Sequence, residues 1–338
     1  TYDTQGRPLT QTITHTAAGN KTQTTSWTYN AQGLVATETA PNGAVTSYTY
    51  DAAGNVLSAT NALGHVSSYT YDSANRMLSQ TAPNGLVTTY IWDARDRLLA
   101  QTVGGQLTTT LTYTPFGAIA TLTLPAGLSL AYTYDAAHRL TGWSNNRSES
   151  GSFTLDAMGN RVGEQIVNSA GAVAWTTART VNNINRLTAQ TEGSNQTSTF
   201  GYDANGERIR ETNGLNQSTQ YGLDGLRRIK TLTDAANATA SLSYNALDAV
   251  TQASDFKGVA TSYARDAQGN ATAESSADIG ARSTTYDALG LPSQIGDALG
   301  QATTIQRDAL CLPTQLSFAD GKFTTLRYDL TGGTYNAP

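Results

Sequence analysis

Apolar and polar residues alternate along short stretches of this chain, and the alternation restarts at a fixed interval. In Val45-Thr46-Ser47-Tyr48-Thr49-Tyr50 every second residue is aromatic or polar in turn, and β-branched residues are frequent. That period of two predicts a β-strand. Asp51-Ala52-Ala53-Gly54 follows, with Asp at the first and Gly at the fourth place of a type I turn. Val56-Leu57-Ser58-Ala59-Thr60 returns as a second strand, and Asn61-Ala62-Leu63-Gly64 turns the chain again. One period is therefore a β-hairpin and a connecting turn.

Copies of this unit begin at Tyr2, Tyr29, Tyr50, Tyr71, Trp92, Tyr113, Tyr134, Leu155, Val181, Tyr202, Leu223, Tyr244, Arg265, Tyr286, Arg307 and Tyr328. Thirteen of the fifteen gaps are 21 residues. Such a period signals a quasi-one-dimensional array in which each unit buries its apolar face only against its neighbours. The longer gaps predict a longer connection around Ala17-Ala18-Gly19-Asn20 and a longer hairpin tip around Ser169-Ala170-Gly171. The expected organisation is one domain over residues 1–338, about 16 units, read as a fragment of a longer array.

The fourth turn position tests the backbone reading. Gly fills it at 6, 33, 54, 117, 159, 206, 269, 290 and 332; elsewhere it is Asn75, Asp96, His138, Asn185 or Asp248. Those residue types best tolerate positive φ. Arg227 and Cys311 do not fit, and a different turn is expected there. Within the strands, Tyr48 and Tyr50 share a face, and an aliphatic residue recurs six positions after most starts (Val35, Val56, Met77, Leu98, Ile119, Leu140, Leu187, Ile229, Val250). If strands pair in sequence order, a Tyr column lies beside a Val/Leu column, each cross-strand pair contributing roughly 0.2–1 kcal/mol. Ser47, Thr49, Thr70, Thr112 and Thr133 then face the other way, towards solvent. About 32 strands at ~4.8 Å spacing would span on the order of 150 Å, too wide to stay flat. The expected fold class is all-β: tandem 21-residue hairpins in a continuous spiralling antiparallel sheet, a segment of a hollow shell or barrel.

Composition narrows the function. Charged residues are 14% of the chain and the net charge is −5 without clustered Lys or Arg, so no electrostatic footprint for nucleic acid exists. No apolar run of 18 residues predicts a transmembrane segment. The single cysteine, Cys311, permits no intrachain disulfide and reads as an inert thiol. His15 and His65 lack metal-ligand spacing, and His138 occupies a turn position. Each Asp turn offers one carboxylate where calcium wants six to eight oxygens, so capping is the expected role. Asp72/Arg76, Asp93/Arg97 and Asp135/Arg139 are placed to pair across their turns. No nucleophile, phosphate-loop or dinucleotide motif is present, so no catalytic, cofactor-binding or metal residue is assigned and no cofactor is expected.

Tyr50-Asp51-Ala52-Ala53-Gly54-Asn55, Tyr71-Asp72-Ser73-Ala74-Asn75-Arg76 and Tyr134-Asp135-Ala136-Ala137-His138-Arg139, with Asn42-Gly43-Ala44-Val45-Thr46 before the first, resemble the YD repeat of the Rhs family. That family includes bacterial Rhs polymorphic toxins, the C component of insecticidal toxin complexes and teneurins. The resemblance implies a non-enzymatic shell that encapsulates a C-terminal toxic polypeptide before delivery. It implies as partners that cargo, the remaining shell repeats of the same protein and a secretion apparatus, with a secreted or cell-surface location. The Asp-Pro motif at which such shells cleave themselves is absent, since none of the eight prolines follows an aspartate. An alternative is a cell-surface adhesin or carbohydrate-binding array using exposed Tyr and Trp27, Trp92, Trp143 and Trp175.

Overall fold

A computed structural model describes residues 1–15, 21–193 and 195–328. They form thirty β-strands, β1 (Thr10–His15) through β30 (Phe323–Thr325) in chain order, and no helix. All belong to one sheet that is not closed into a barrel. The connection expected around Ala17–Asn20 lies outside the described residues, as do Asp329 and Gly332. The Tyr2 unit contributes a complete turn but only an isolated Tyr2–Pro8 bridge, not a pair of strands.

Strands pair antiparallel with their sequence neighbours. Between β4 (Val45–Tyr50) and β5 (Val56–Thr60), Tyr48 faces Ala59, Thr49 faces Ser58 and Tyr50 faces Val56. Tyr29/Val35, Tyr113/Ile119 and Tyr134/Leu140 repeat that match, so the aromatic and aliphatic columns lie side by side. On the other face Thr49 and Ser58 hydroxyls bond at 2.6 Å, as do Thr28/Thr37, Thr70/Ser79 and Thr112/Thr121. Thr49, Thr70, Thr112 and Thr133 are exposed, while Ser47 is half-buried.

Each hairpin closes with a type I turn followed by a left-handed residue, the common three-residue loop. Gly54 N–H donates to the Asp51 carbonyl at 3.2 Å and Asp51 N–H to the Asn55 carbonyl at 2.9 Å. Gly54 has φ +90°, which glycine adopts without steric cost. Arg227 and Cys311 correct the sequence expectation: their φ values are +64° and +68°, and their N–H groups donate to the carbonyls of Asp224 and Asp308, three residues earlier, as the fourth residue of the other hairpin turns does. The turn is fixed by its Asp and by the paired strands, which outweigh the ~1–2 kcal/mol cost of a left-handed L-residue.

Most connecting turns repeat the same geometry; the turn at Gly104 and Gly105, both at positive φ, does not. Gly43 N–H donates to the Ala40 carbonyl at 2.8 Å, and Ala40 N–H to the Ala44 carbonyl at 2.9 Å. Yet the two strands flanking such a turn pair only near it. β3 (Val35–Thr39) meets β4 at residues 37–39 against 45–47, and the strands then diverge. The ribbon is thus zipped along one edge and splayed along the other, where the Asp turns lie.

A single sheet has no second layer to bury its faces. Among the described residues Ala100 is the only buried large-array hydrophobe, at 9% exposure, and no large side chain is fully buried. By packing the chain falls into two compact units, Thr1–Ser68 with Ala240–Pro338, and Tyr69–Thr239. Within the first unit, the start of β2 (Lys21–Tyr29) and the connecting turn at Asn42 meet late Asp turns. Gln23 Nε2 donates to the Ala288 carbonyl at 2.5 Å and Asn42 Nδ2 to the Ala309 carbonyl at 3.5 Å.

Candidate functional site: the Asp-turn edge

Asp, Arg and Tyr of successive repeats interlock along the splayed edge. Asp93 Oδ1 accepts from the backbone N–H groups of Arg95 and Arg97 at 2.8 and 3.0 Å. Its Oδ2 takes Arg97 Nε at 2.7 Å. Arg97 then lies over the Tyr113 ring of the next hairpin, 4.4 Å from its centroid. Tyr113 in turn donates its hydroxyl to the Leu98 carbonyl at 2.7 Å. One repeat is thereby latched to the next through a charge pair, a cation–π contact and a hydrogen bond. The expected pairs Asp72/Arg76, Asp93/Arg97 and Asp135/Arg139 are all present, at 2.6–2.7 Å.

The tyrosine hydroxyl has a specific task. Val35 lies beyond the last pair that β3 makes with β4, and its carbonyl accepts from Tyr50 OH at 2.8 Å. Tyr134 and Tyr202 do the same to Ile119 and Leu187, each at 2.7 Å. Where tyrosine is replaced by a residue with a side-chain donor, that donor takes the same role: Trp92 Nε1 to Met77, Arg265 Nε to Val250, and Arg307 Nη2 to Pro292; Leu155, Val181 and Leu223 carry no such donor. The Trp92, Arg265 and Arg307 units therefore keep a donor that reaches a backbone carbonyl which the splay would otherwise leave open.

Electrostatics follow from the turn bonds. The Arg97 guanidinium and the two N–H donors hold the Asp93 carboxyl at about 2, below the usual carboxylate range. Asp51 is also lowered, chiefly by the Asn55 side-chain amide. Each carboxylate is committed to its own turn, and among the described residues no group of three or more His, Cys, Asp or Glu could hold a metal ion. His138 sits in its turn at φ +62° and stacks on Phe116, centroids 3.9 Å apart. Cys311 holds a turn position of the same kind, beside Asn42. His15 lies in β1, and its side chain is outside the described residues. A cleft of about 840 Å³ opens between connecting turns and is lined by Glu211, Asn213, Gln217 and Asp234.

Most of the tryptophans and tyrosines are engaged in the wall. Trp143 lies over Gly151, where an added Cβ would fall 2.2 Å from its indole nitrogen. Trp175, on the lengthened hairpin of β15 (Arg161–Val167) and β16 (Val173–Val181), is 41% exposed and bonds Thr177 Oγ1. Sequence reasoning passed over Gln23 of β2 (Lys21–Tyr29), the connecting-turn residue Asn42 and the apolar side chains at the tips of the Asp turns. An apolar third residue in a turn, as in Leu226, Leu289 and Leu310, is the signal that marks the latter.

Residues 29–66, 50–85, 71–114 and 113–142 match the RHS Repeat family model. No protein of curated function matches the chain. Among solved structures, the chain resembles the Photorhabdus luminescens Tc holotoxin pore with a TccC3 mutation at 13% identity and a TM-score of 0.56, over 94% of this chain and 21% of that one. It resembles the TcdB2-TccC3-Cdc42 crystal structure at 13% identity and a TM-score of 0.56, over 95% and 23%. The shared fold spans about a fifth of the length of those chains.

Proposed function

Because residues 29–142 match the RHS-repeat (YD-repeat) family model, we propose that the chain is a non-enzymatic length of container wall in an Rhs-type toxin, built to enclose a C-terminal toxic polypeptide before delivery. The observation that carries this reading is the single-layer sheet. A ribbon of hairpins with almost no buried side chain forms no interior of its own, so its use lies in the space beside it. One face is a ladder of Thr and Ser hydroxyls already bonded to each other across strands, which gives an unfolded cargo few unpaired groups to grip. The opposite face carries the latched aromatics. Resemblance in fold to chains of Tc toxin complexes supports that setting. Further repeats of the same protein, the cargo and a secretion apparatus are the partners this role requires, and its place is secreted or at the cell surface.

Commitment of the tyrosine hydroxyls to backbone carbonyls disfavours the glycan-binding alternative. The reading is tested by limited proteolysis of the full polypeptide that carries these repeats. A C-terminal segment resisting protease while the sheet is folded, and cut rapidly once the sheet is unfolded, is the expected result. Cleavage at the same rate in both states would overturn the role.

A further inference from the structure

The seam inside the first unit shows how two edges of this ribbon fit. The Asp turns 287–290 and 308–311 present Ala288 and Ala309 carbonyls, which accept from Gln23 and Asn42. Their apolar tips, Leu289 and Leu310, are half-buried in a cleft with Ala40, Ala44 and Ala62 of the connecting turns.

Both halves of that fit recur, bare, in the unit Tyr69–Thr239. Met158, Ile184 and Leu226 occupy the same turn position as Leu289 and Leu310 but are 69%, 62% and 70% exposed. The connecting turn Ala82-Pro83-Asn84-Gly85 repeats Ala40-Pro41-Asn42-Gly43 residue for residue. Asn84 Oδ1 accepts from Leu86 N–H at 3.0 Å, as Asn42 Oδ1 does from Ala44 N–H at 3.1 Å. The Asn84 side-chain amide that would match the Asn42 donor is exposed, and Leu86 beside it is 44% exposed.

We propose that the bare Asp-turn edge carrying Met158, Ile184 and Leu226 docks the connecting-turn edge carrying Asn84 and Leu86 of a second copy of this chain. The contact is head to tail: one edge type meets the other, so a pair keeps one edge of each kind free for the next copy. Apolar tips leave water, and the Asn84 amide donates to a turn carbonyl of the facing edge, as Asn42 does in the seam. This rests on the seam and not on the container role, so either can fail alone.

Sedimentation velocity over a dilution series tests it. Wild type is expected to sediment faster as concentration rises. The variant M158E/I184E/L226E and, separately, N84R/L86E are expected to sediment as monomers at every concentration, with unchanged strand circular dichroism. Mixing the two variants should restore a one-to-one complex, because each retains the edge the other lacks. A wild-type chain that stays monomeric throughout, variants that associate like wild type, or a mixture that does not associate would overturn the proposal.

Discussion

At the scale of the residue, the Asp turn and the Tyr latch account for most of the strict positions in the repeat. Tyr50→Phe keeps the ring and removes only the donor to the Val35 carbonyl. The expected loss is about 1 kcal/mol, confined to its neighbours, and faster amide exchange in residues 35–39 and 47–50 checks it. Arg227 holds φ +64° with a side chain. Arg227→Gly relieves that strain and should stabilise its hairpin by about 1 kcal/mol, read as slower local exchange; its exposed pair with Glu207 adds little. The carboxylates set the acid limit. Asp93 has a folded value of about 2, below the ~3.9 of an unfolded chain. Its stabilising contribution is therefore complete above pH ~4 and is lost as pH falls through about 2. Asp93→Asn should make exchange in its turn insensitive to pH over that window, whereas the wild-type turn loosens.

At the scale of the element, hairpin existence, turn position and strand pairing were legible in the sequence because one 21-residue pattern was written many times. Tyr50 opposite Val56 and Thr49 opposite Ser58 follow from alternation alone. The left-handed state of Arg227 and Cys311 was not legible, because residue preference argues against it and only the Asp bonds and flanking strands impose it. The splay was hidden for a related reason. Alternation gives the face of a residue but says nothing about where neighbouring strands part, so the Tyr hydroxyl's carbonyl partner could not be read. The seam was hidden because it joins residues more than 260 apart with no periodic relation. The period has a direct consequence. Deleting Asp51–Tyr71, one whole unit, returns each later residue to an equivalent place, and the shortened chain should keep its strand circular dichroism and cooperative melting. Deleting Asp51–Thr60 removes one strand and reverses the direction of all that follow, so later Asp turns land on the wrong edge. That chain is expected to aggregate or to lose the melting transition.

At the scale of the whole molecule, the side chains described above serve the repeat ribbon. Its carboxylates cap turns, its arginines stack and pair between repeats, and its aromatics bridge hairpins. Little reactive chemistry is left over, which fits a scaffold of RHS repeats. A one-layer sheet with both faces wetted is stable only through neighbour contacts along the ribbon, so its strength grows with repeat number rather than with core volume. The central claim is enclosure, and cryo-electron microscopy of the full polypeptide carrying these repeats measures it most directly. A cavity bounded by this sheet and filled with density for the C-terminal polypeptide is the predicted result; a cavity empty of polypeptide, or a sheet that borders none, would contradict it.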